Sequence, residues 1–288
     1  MIITIAPMVN PENWELPYLL KTLDFLKEDL DDNYHFIIAR MNNPTEIAQY
    51  KATLKSDKKN ILIMLSDEAG IKPYFQDQLF LTFRTYNRKG VYDNVNIFPI
   101  PCGFCGKHND FLYEDMEKEK QPLIDRKYDI FYSGQISPNR MTFVDKLRSI
   151  KDEFNSVIQV TKGFAQGFSL GEYYNYMSNS KICLVPNGAV IPESFRYFEA
   201  FENNCIVITS YPKNSDIYNN WYYDKSPAIF IDNWGELTKD MIQELLTPEK
   251  LNEYNVKNKE YFDKYLSSNS VSNYILEKIN LKNEKYPN

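Results

Sequence analysis

Glycine and histidine are scarce in this chain: of 288 residues, 10 are glycine and 2 are histidine. The first apolar segment runs into Ile5-Ala6-Pro7-Met8-Val9-Asn10, which cannot make the tight glycine turn that receives a dinucleotide pyrophosphate. NAD and FAD chemistry are therefore excluded, and the absence of a Gly-Lys-Ser/Thr phosphate loop excludes a P-loop ATPase. The 4 cysteines are too few for a disulfide framework in a chain of this length. Cys183 and Cys205 sit in strand-like apolar runs and read as small core side chains in a reducing compartment. No run approaches the roughly 18 apolar residues that span a bilayer. Met1-Ile2-Ile3-Thr4-Ile5-Ala6-Pro7 lacks a basic leader and reads as a first core strand, so a cytoplasmic protein is expected. An excess of basic charge is missing too: the net charge is −6, which argues against a nucleic-acid partner.

What is present is an alternation of short strands and helices, the pattern of parallel βαβ units. Residues 2–6, 34–39, 60–65 and 95–100 read as strands. Leu16, Leu19, Leu20, Leu23 and Leu26 form a helical apolar stripe between the first two. The charged stretch Glu114-Asp115-Met116-Glu117-Lys118-Glu119-Lys120-Gln121-Pro122 suits an exposed linker. The pattern then restarts, with strands expected near 128–133, 157–160, 182–185, 206–208 and 228–231. Helices are expected near 139–150, 170–178 and 193–203, and the segment beyond 235 reads as helical. The fold class expected is α/β, two Rossmann-like doubly wound domains (1–120 and 121–288) facing a cleft, with C-terminal helices.

The densest chemical signal is Leu184-Val185-Pro186-Asn187-Gly188, then Pro192-Glu193-Ser194-Phe195-Arg196-Tyr197-Phe198-Glu199-Ala200-Phe201, then Cys205-Ile206-Val207-Ile208. It reads as strand, loop, helix and strand. A helix N-terminus beyond a parallel strand offers unpaired N–H groups and partial positive charge to a phosphate. On that helix Arg196 could grip a phosphate through its planar fork, and Glu199 could accept from ribose hydroxyls. The competing reading is an exposed helix pair contributing a few tenths of a kcal/mol.

Phe131-Tyr132-Ser133-Gly134-Gln135 with Asn139-Arg140, the 184–188 segment and Ser194–Phe201 leading to Asn204-Cys205-Ile206-Val207-Ile208 together resemble the donor-binding half of GT-B glycosyltransferases, most closely the exostosin-like group. The resemblance covers roughly residues 128–210. It implies transfer of a sugar from a nucleotide-sugar donor to a hydroxyl of a glycan or glycolipid acceptor, in bacterial surface polysaccharide or glycoconjugate synthesis. It implies that Glu199 holds the ribose, that Arg196 and Ser194 lie near the diphosphate, and that Gly134 and Arg140 belong to a loop facing the phosphates. Gln135, Lys162, Pro186 and Asn187 complete the expected donor set. No metal or other cofactor is required on this reading. Where the family has glycine before the cysteine, this chain has Asn204, which tolerates left-handed backbone. The paired glutamates of many retaining members stand eight apart, and Ile191 occupies the first of those positions here.

In the first half, Asp67 and Glu68 follow an apolar strand and are the candidate bases for removing the acceptor's proton; Asp67 could equally cap a turn. Arg84 and Tyr86 are candidates for the acceptor side, with a core-edge role as the competing reading. Cys102-Gly103-Phe104-Cys105 with His108 falls one ligand short of a zinc site and reads as a tight turn. A fucosyltransferase-like enzyme, a sugar-nucleotide epimerase or hydrolase, and a non-catalytic nucleotide- or glycan-binding module remain alternatives, and a peripheral membrane contact is left open.

Overall fold

The computed structural model describes residues 1–6, 15–40, 44–66, 75–86, 96–105, 120–163, 166–188, 193–210, 220–223 and 225–285, with backbone only for 44–47. The chain forms two compact units, Met1–Asp110, Ser215–Asp224 and Tyr265–Asn288 in one, Phe111–Asn214 and Lys225–Lys264 in the other.

The first unit is built on β1 (Ile2–Ile5), β2 (Tyr34–Arg40), β3 (Lys59–Leu65), β4 (Leu81–Arg84) and β5 (Ile97–Pro99). All pair in parallel, in chain order β1-β2-β3-β4-β5. Strands β2 and β3 are buried along nearly their whole length, as continuous apolar runs in a parallel sheet require. Because the order never reverses among these strands, the double winding expected for this half is absent from the described sheet. Helix α1 (Leu16–Asp24) buries Leu16, Leu19 and Leu23 and carries Pro17 in its first turn, where a missing N–H is harmless. A second helix, α2, spans Pro44–Ala52.

The last helix of the chain also belongs to this unit, not to the second domain where the sequence reading placed it. Helix α8 (Ser268–Lys285) buries Val271, Ile275 and Ile279, four apart on one face, and packs on α1. Its final turns reach β-strand starts: Asn283 donates to the Tyr34 hydroxyl (2.8 Å) and accepts from Lys59 Nζ (2.8 Å). Trp221 donates to the Pro99 carbonyl (3.1 Å) and stacks on Tyr274 at 4.4 Å.

The second unit contains β6 (Tyr128–Gln135), β7 (Ser156–Thr161), β8 (Ser180–Val185), β9 (Ile206–Thr209) and β10 (Ile229–Phe230). They too are parallel, in the order β10-β9-β8-β6-β7. Here the winding does reverse: the chain runs from β6 outward to β7, then crosses to β8 and onward. Helices α3 (Met141–Ile150), α4 (Leu170–Ser178) and α5 (Phe195–Glu202) follow β6, β7 and β8, and α6 (Lys239–Leu245) and α7 (Pro248–Tyr261) come after β10. One core joins Tyr132, Phe143, Leu147, Ile182, Ile206, Trp234 and Leu251, with Phe143 lying 4.7 Å from Tyr132 and 4.4 Å from Trp234. Asn204 stands at φ 56°, the left-handed backbone that asparagine tolerates, and its amide donates to Asn255 Oδ1 at 3.0 Å. No helix among the described residues is long and apolar enough to cross a membrane.

Candidate functional site

A crevice opens where strand order reverses in a parallel sheet, outside the carboxyl ends of the two strands flanking the switch. In the second unit those strands are β6, ending in Ser133-Gly134-Gln135, and β8, followed by Pro186-Asn187-Gly188. Two arginines converge there from two helices. Arg140, at the start of α3, is 6% exposed; its Nε donates to the Asn187 carbonyl at 2.7 Å and its Nη1 to the Gln135 carbonyl at 3.3 Å. One side chain thus ties the two edges of the crevice together. Arg196, in the first turn of α5, donates from Nη2 to the Ser133 carbonyl, and its guanidinium lies 4.8 Å from the centre of the Tyr132 ring.

Gly134 is what lets Arg196 in. A Cβ at that position would stand 2.5 Å from Arg196 Nη2 and 3.0 Å from the Tyr132 hydroxyl oxygen, so only a residue without a side chain leaves the guanidinium against the end of β6.

Among the described residues neither Arg140 nor Arg196 lies within ion-pair distance of a carboxylate. Burial, and after it the charge of Arg196, hold the Arg140 guanidinium below its ordinary pKa. At Arg196 burial pulls the same way but is outweighed by Tyr173, Tyr132, Cys183 and Glu199, so its pKa is raised. Both remain cations at any physiological pH. Two buried like charges sharing a crevice favour an anion between them.

The helix ends agree. Ser194 caps α5 with extended backbone but makes no side-chain cap bond, and the first turn holds no acid. Its Oγ and Arg196 Nε are both buried without a hydrogen-bond partner among the described residues. Helix α3 likewise has no side-chain cap and no acid in its first turn. Helix α4 shows the opposite arrangement: Ser169 and Glu172 close a capping box, which uses up its N–H groups and places a negative charge at its positive end. Of the three helices that follow β6, β7 and β8, the two without a side-chain cap are those flanking the switch point. Glu193, just before the α5 cap, is buried.

The remaining expected donor residues are placed less uniformly. Gln135 and Asn187 are partly exposed, Pro186 is buried and Lys162 is exposed just beyond β7. Glu199 is 2% exposed, and its two oxygens accept from the Tyr173 hydroxyl (2.7 Å) and the Tyr174 hydroxyl (3.1 Å). It is an interior residue rather than the open ribose ligand the resemblance implies. Sequence reasoning missed Tyr132, Tyr173, Tyr174 and Gln159. Gln159 Oε1 accepts from Ser133 Oγ (3.3 Å) and Phe168 N (2.8 Å), pinning the loop after β7 to β6. No local spacing marks these residues, because their partners lie 9 to 64 positions away.

In the first unit, Asp67 and Glu68 lie outside the described residues. Arg84 and Tyr86, expected on the acceptor side, are 0% and 4% exposed, so both take the core-edge role. Beside them Glu15, 2% exposed, accepts from Ser66 N (3.0 Å), Ser66 Oγ (2.8 Å) and Thr85 Oγ1 (3.0 Å). It gathers the carboxyl ends of β3 and β4, where Ser66 and Tyr86 adopt left-handed φ of 51° and 58°. Burial raises the Glu15 pKa against the pull of those donors. Cys102 and Cys105 are buried thiols outside any disulfide, around Gly103 at φ 68°, the tight turn expected; His108 lies outside the described residues. Among the described residues no three His, Cys, Asp or Glu side chains gather as a metal site would require.

No family model matches the chain, and no curated protein matches it. Among solved structures it is similar to an alpha1,3-fucosyltransferase, at 15% identity over 97% of this chain and 90% of that one, with a TM-score of 0.49. It is similar to TarM at 12% identity, covering 90% of this chain and 57% of that one, TM-score 0.46. A third is the glycosyltransferase SnogD from Streptomyces nogalater, at 9% identity over 94% and 80% of the two chains, TM-score 0.45.

Proposed function

We propose that this chain is a glycosyltransferase that holds the diphosphate of a nucleotide-activated sugar in the crevice between β6 and β8. One observation carries the reading: Arg140 and Arg196 meet at the end of β6, each at an uncapped helix N-terminus, with no carboxylate in ion-pair distance among the described residues. A diphosphate supplies an anionic partner and accepts from the idle Arg196 Nε, the Ser194 hydroxyl and the first N–H groups of α5. That the rest of the ligand is a nucleoside and a sugar rests on the resemblance of residues 128–210.

In this reading the acceptor hydroxyl attacks the anomeric carbon while the bond to the diphosphate oxygen breaks. The negative charge gathering on that oxygen meets two guanidiniums and two helix dipoles already in place, so departure needs no reorganisation and no metal. Asp67 or Glu68 takes the acceptor's proton. We propose a glycan or glycoconjugate as the acceptor, in surface polysaccharide synthesis.

Isothermal titration of UDP, GDP, CDP and ADP into the wild-type chain and Arg196→Ala tests the site. One nucleotide should bind, and the variant should bind it roughly 10- to 150-fold more weakly, the equivalent of about 1.5–3 kcal/mol for hydrogen bonds to a charged group. Equal binding by the two proteins refutes the assignment. Turnover with sugars on the bound nucleotide then tests the transfer.

A further inference from the structure

We infer that Glu199 is a positioning residue, which sets Arg196 through Tyr173 and Tyr174 and does not contact the ribose of the donor; this rests on the reading of the crevice as a diphosphate site.

The geometry is of a carboxylate enclosed by its own protein. Glu199 follows Arg196 by three positions on α5, one turn deeper into the unit. The two phenols that bind it come from consecutive residues of α4, with rings 5.3 Å apart at 90°, so each oxygen is approached from a different direction. Tyr173 is in turn held edge-on to Phe131 of β6 at 5.3 Å. Helices α4 and α5 and the strand under the crevice are therefore joined through one ionisable side chain. A ribose hydroxyl reaching Glu199 would have to enter an almost closed interior and compete with a phenol, and an unbonded phenol left behind would carry its own desolvation penalty. What the carboxylate does hold is the middle of α5 against α4, one turn after the Ser194 cap and the Arg196 fork. The charge of Glu199 also acts on Arg196, so removing it would by electrostatics alone strengthen the pull on an anion. Positioning and charge thus predict changes of opposite sign.

Inorganic pyrophosphate separates the two roles because it has no ribose. The experiment titrates pyrophosphate, the nucleoside diphosphate that binds wild type, and its 2′-deoxy analogue into wild type, Glu199→Gln, Glu199→Ala and Tyr173→Phe, with a thermal melt of each. The inference expects Glu199→Ala to weaken pyrophosphate and nucleotide by the same factor, about tenfold for one lost charged hydrogen-bond set. Glu199→Gln, which keeps an acceptor, should fall between Ala and wild type, and Tyr173→Phe should weaken both ligands. In wild type the ribo and 2′-deoxy nucleotides should bind within about twofold of each other, since no buried acceptor reads the hydroxyl. Unchanged or tighter pyrophosphate binding in Glu199→Ala beside a weakened nucleotide would overturn the inference in favour of a ribose contact. So would an affinity loss that scales with the melting temperature of each variant. If wild type binds neither pyrophosphate nor any nucleoside diphosphate, the diphosphate site itself fails and this role with it.

Discussion

Replacing Gly134 by alanine puts a methyl group in place of one hydrogen at the point on which the site depends. The new Cβ would lie 2.5 Å from Arg196 Nη2 and 3.3 Å from its Cζ, well inside contact distance, so one of the two must move. The backbone of Gly134 is not left-handed, and alanine fits it without strain. The guanidinium is the free end of a flexible side chain and is what yields. It then loses its bond to the Ser133 carbonyl and its place over Tyr132. Folding should feel this little: the lost bond, about 1 kcal/mol, is offset by the roughly 0.4–1 kcal/mol that alanine contributes by restricting the unfolded chain. Anion binding should feel it strongly, because a misplaced fork forfeits charged hydrogen bonds of about 1.5–3 kcal/mol, or roughly 10- to 150-fold in Kd. Urea denaturation and pyrophosphate titration of the same preparation give both numbers. An alanine variant that binds pyrophosphate like wild type would show that Arg196 is not the anchor.

Arg140→Ala should both destabilise the chain, by about 1–3 kcal/mol for two lost charged bonds across the crevice, and weaken pyrophosphate; unchanged urea midpoints would refute the tie between Gln135 and Asn187. For Glu15, a pKa raised above the ordinary 4.5 means the folded chain holds the proton more tightly than the unfolded one. Its contribution is fully present below the unfolded value and is lost as pH rises through the folded one. Wild type should therefore lose stability relative to Glu15→Gln as pH rises above the ordinary 4.5, and parallel stability curves would contradict this. At Asn204, glycine and alanine both lose the side-chain bond to Asn255, and alanine alone adds about 1–2 kcal/mol of left-handed strain; equal denaturation midpoints for Ala and Gly would refute it.

The second unit was readable in the sequence because its signals are local. The apolar runs became β6 to β9 within two or three residues, the 170–178 helix is α4 as expected, and the helix expected at 193–203 is α5 (Phe195–Glu202). The first unit was harder. Strand β4 is four residues long and ends in Arg84, so it shows neither an apolar run nor clean alternation, although its residues are buried. The partners that define the site are distant in sequence: Arg196 reaches Ser133 across 63 positions, and Glu15 reaches Ser66 and Thr85 across 51 and 70. A glutamate before Leu-Pro looks like an ordinary helix opener. Only folding shows that it gathers two strand ends.

The return of residues 265–285 to the first unit also fixes an order of completion during synthesis. Every residue of the second unit precedes position 265, whereas the first unit lacks α8 until residues 268–285 have been made. Until then Leu16, Leu19 and Leu23 have no Val271, Ile275 and Ile279 beside them, and each such side chain left in water forgoes about 1.5–3 kcal/mol. A chain truncated after residue 264 would therefore keep every residue of the second unit while leaving the first without α8, and it should hold pyrophosphate although its amino-terminal part stays open to protease.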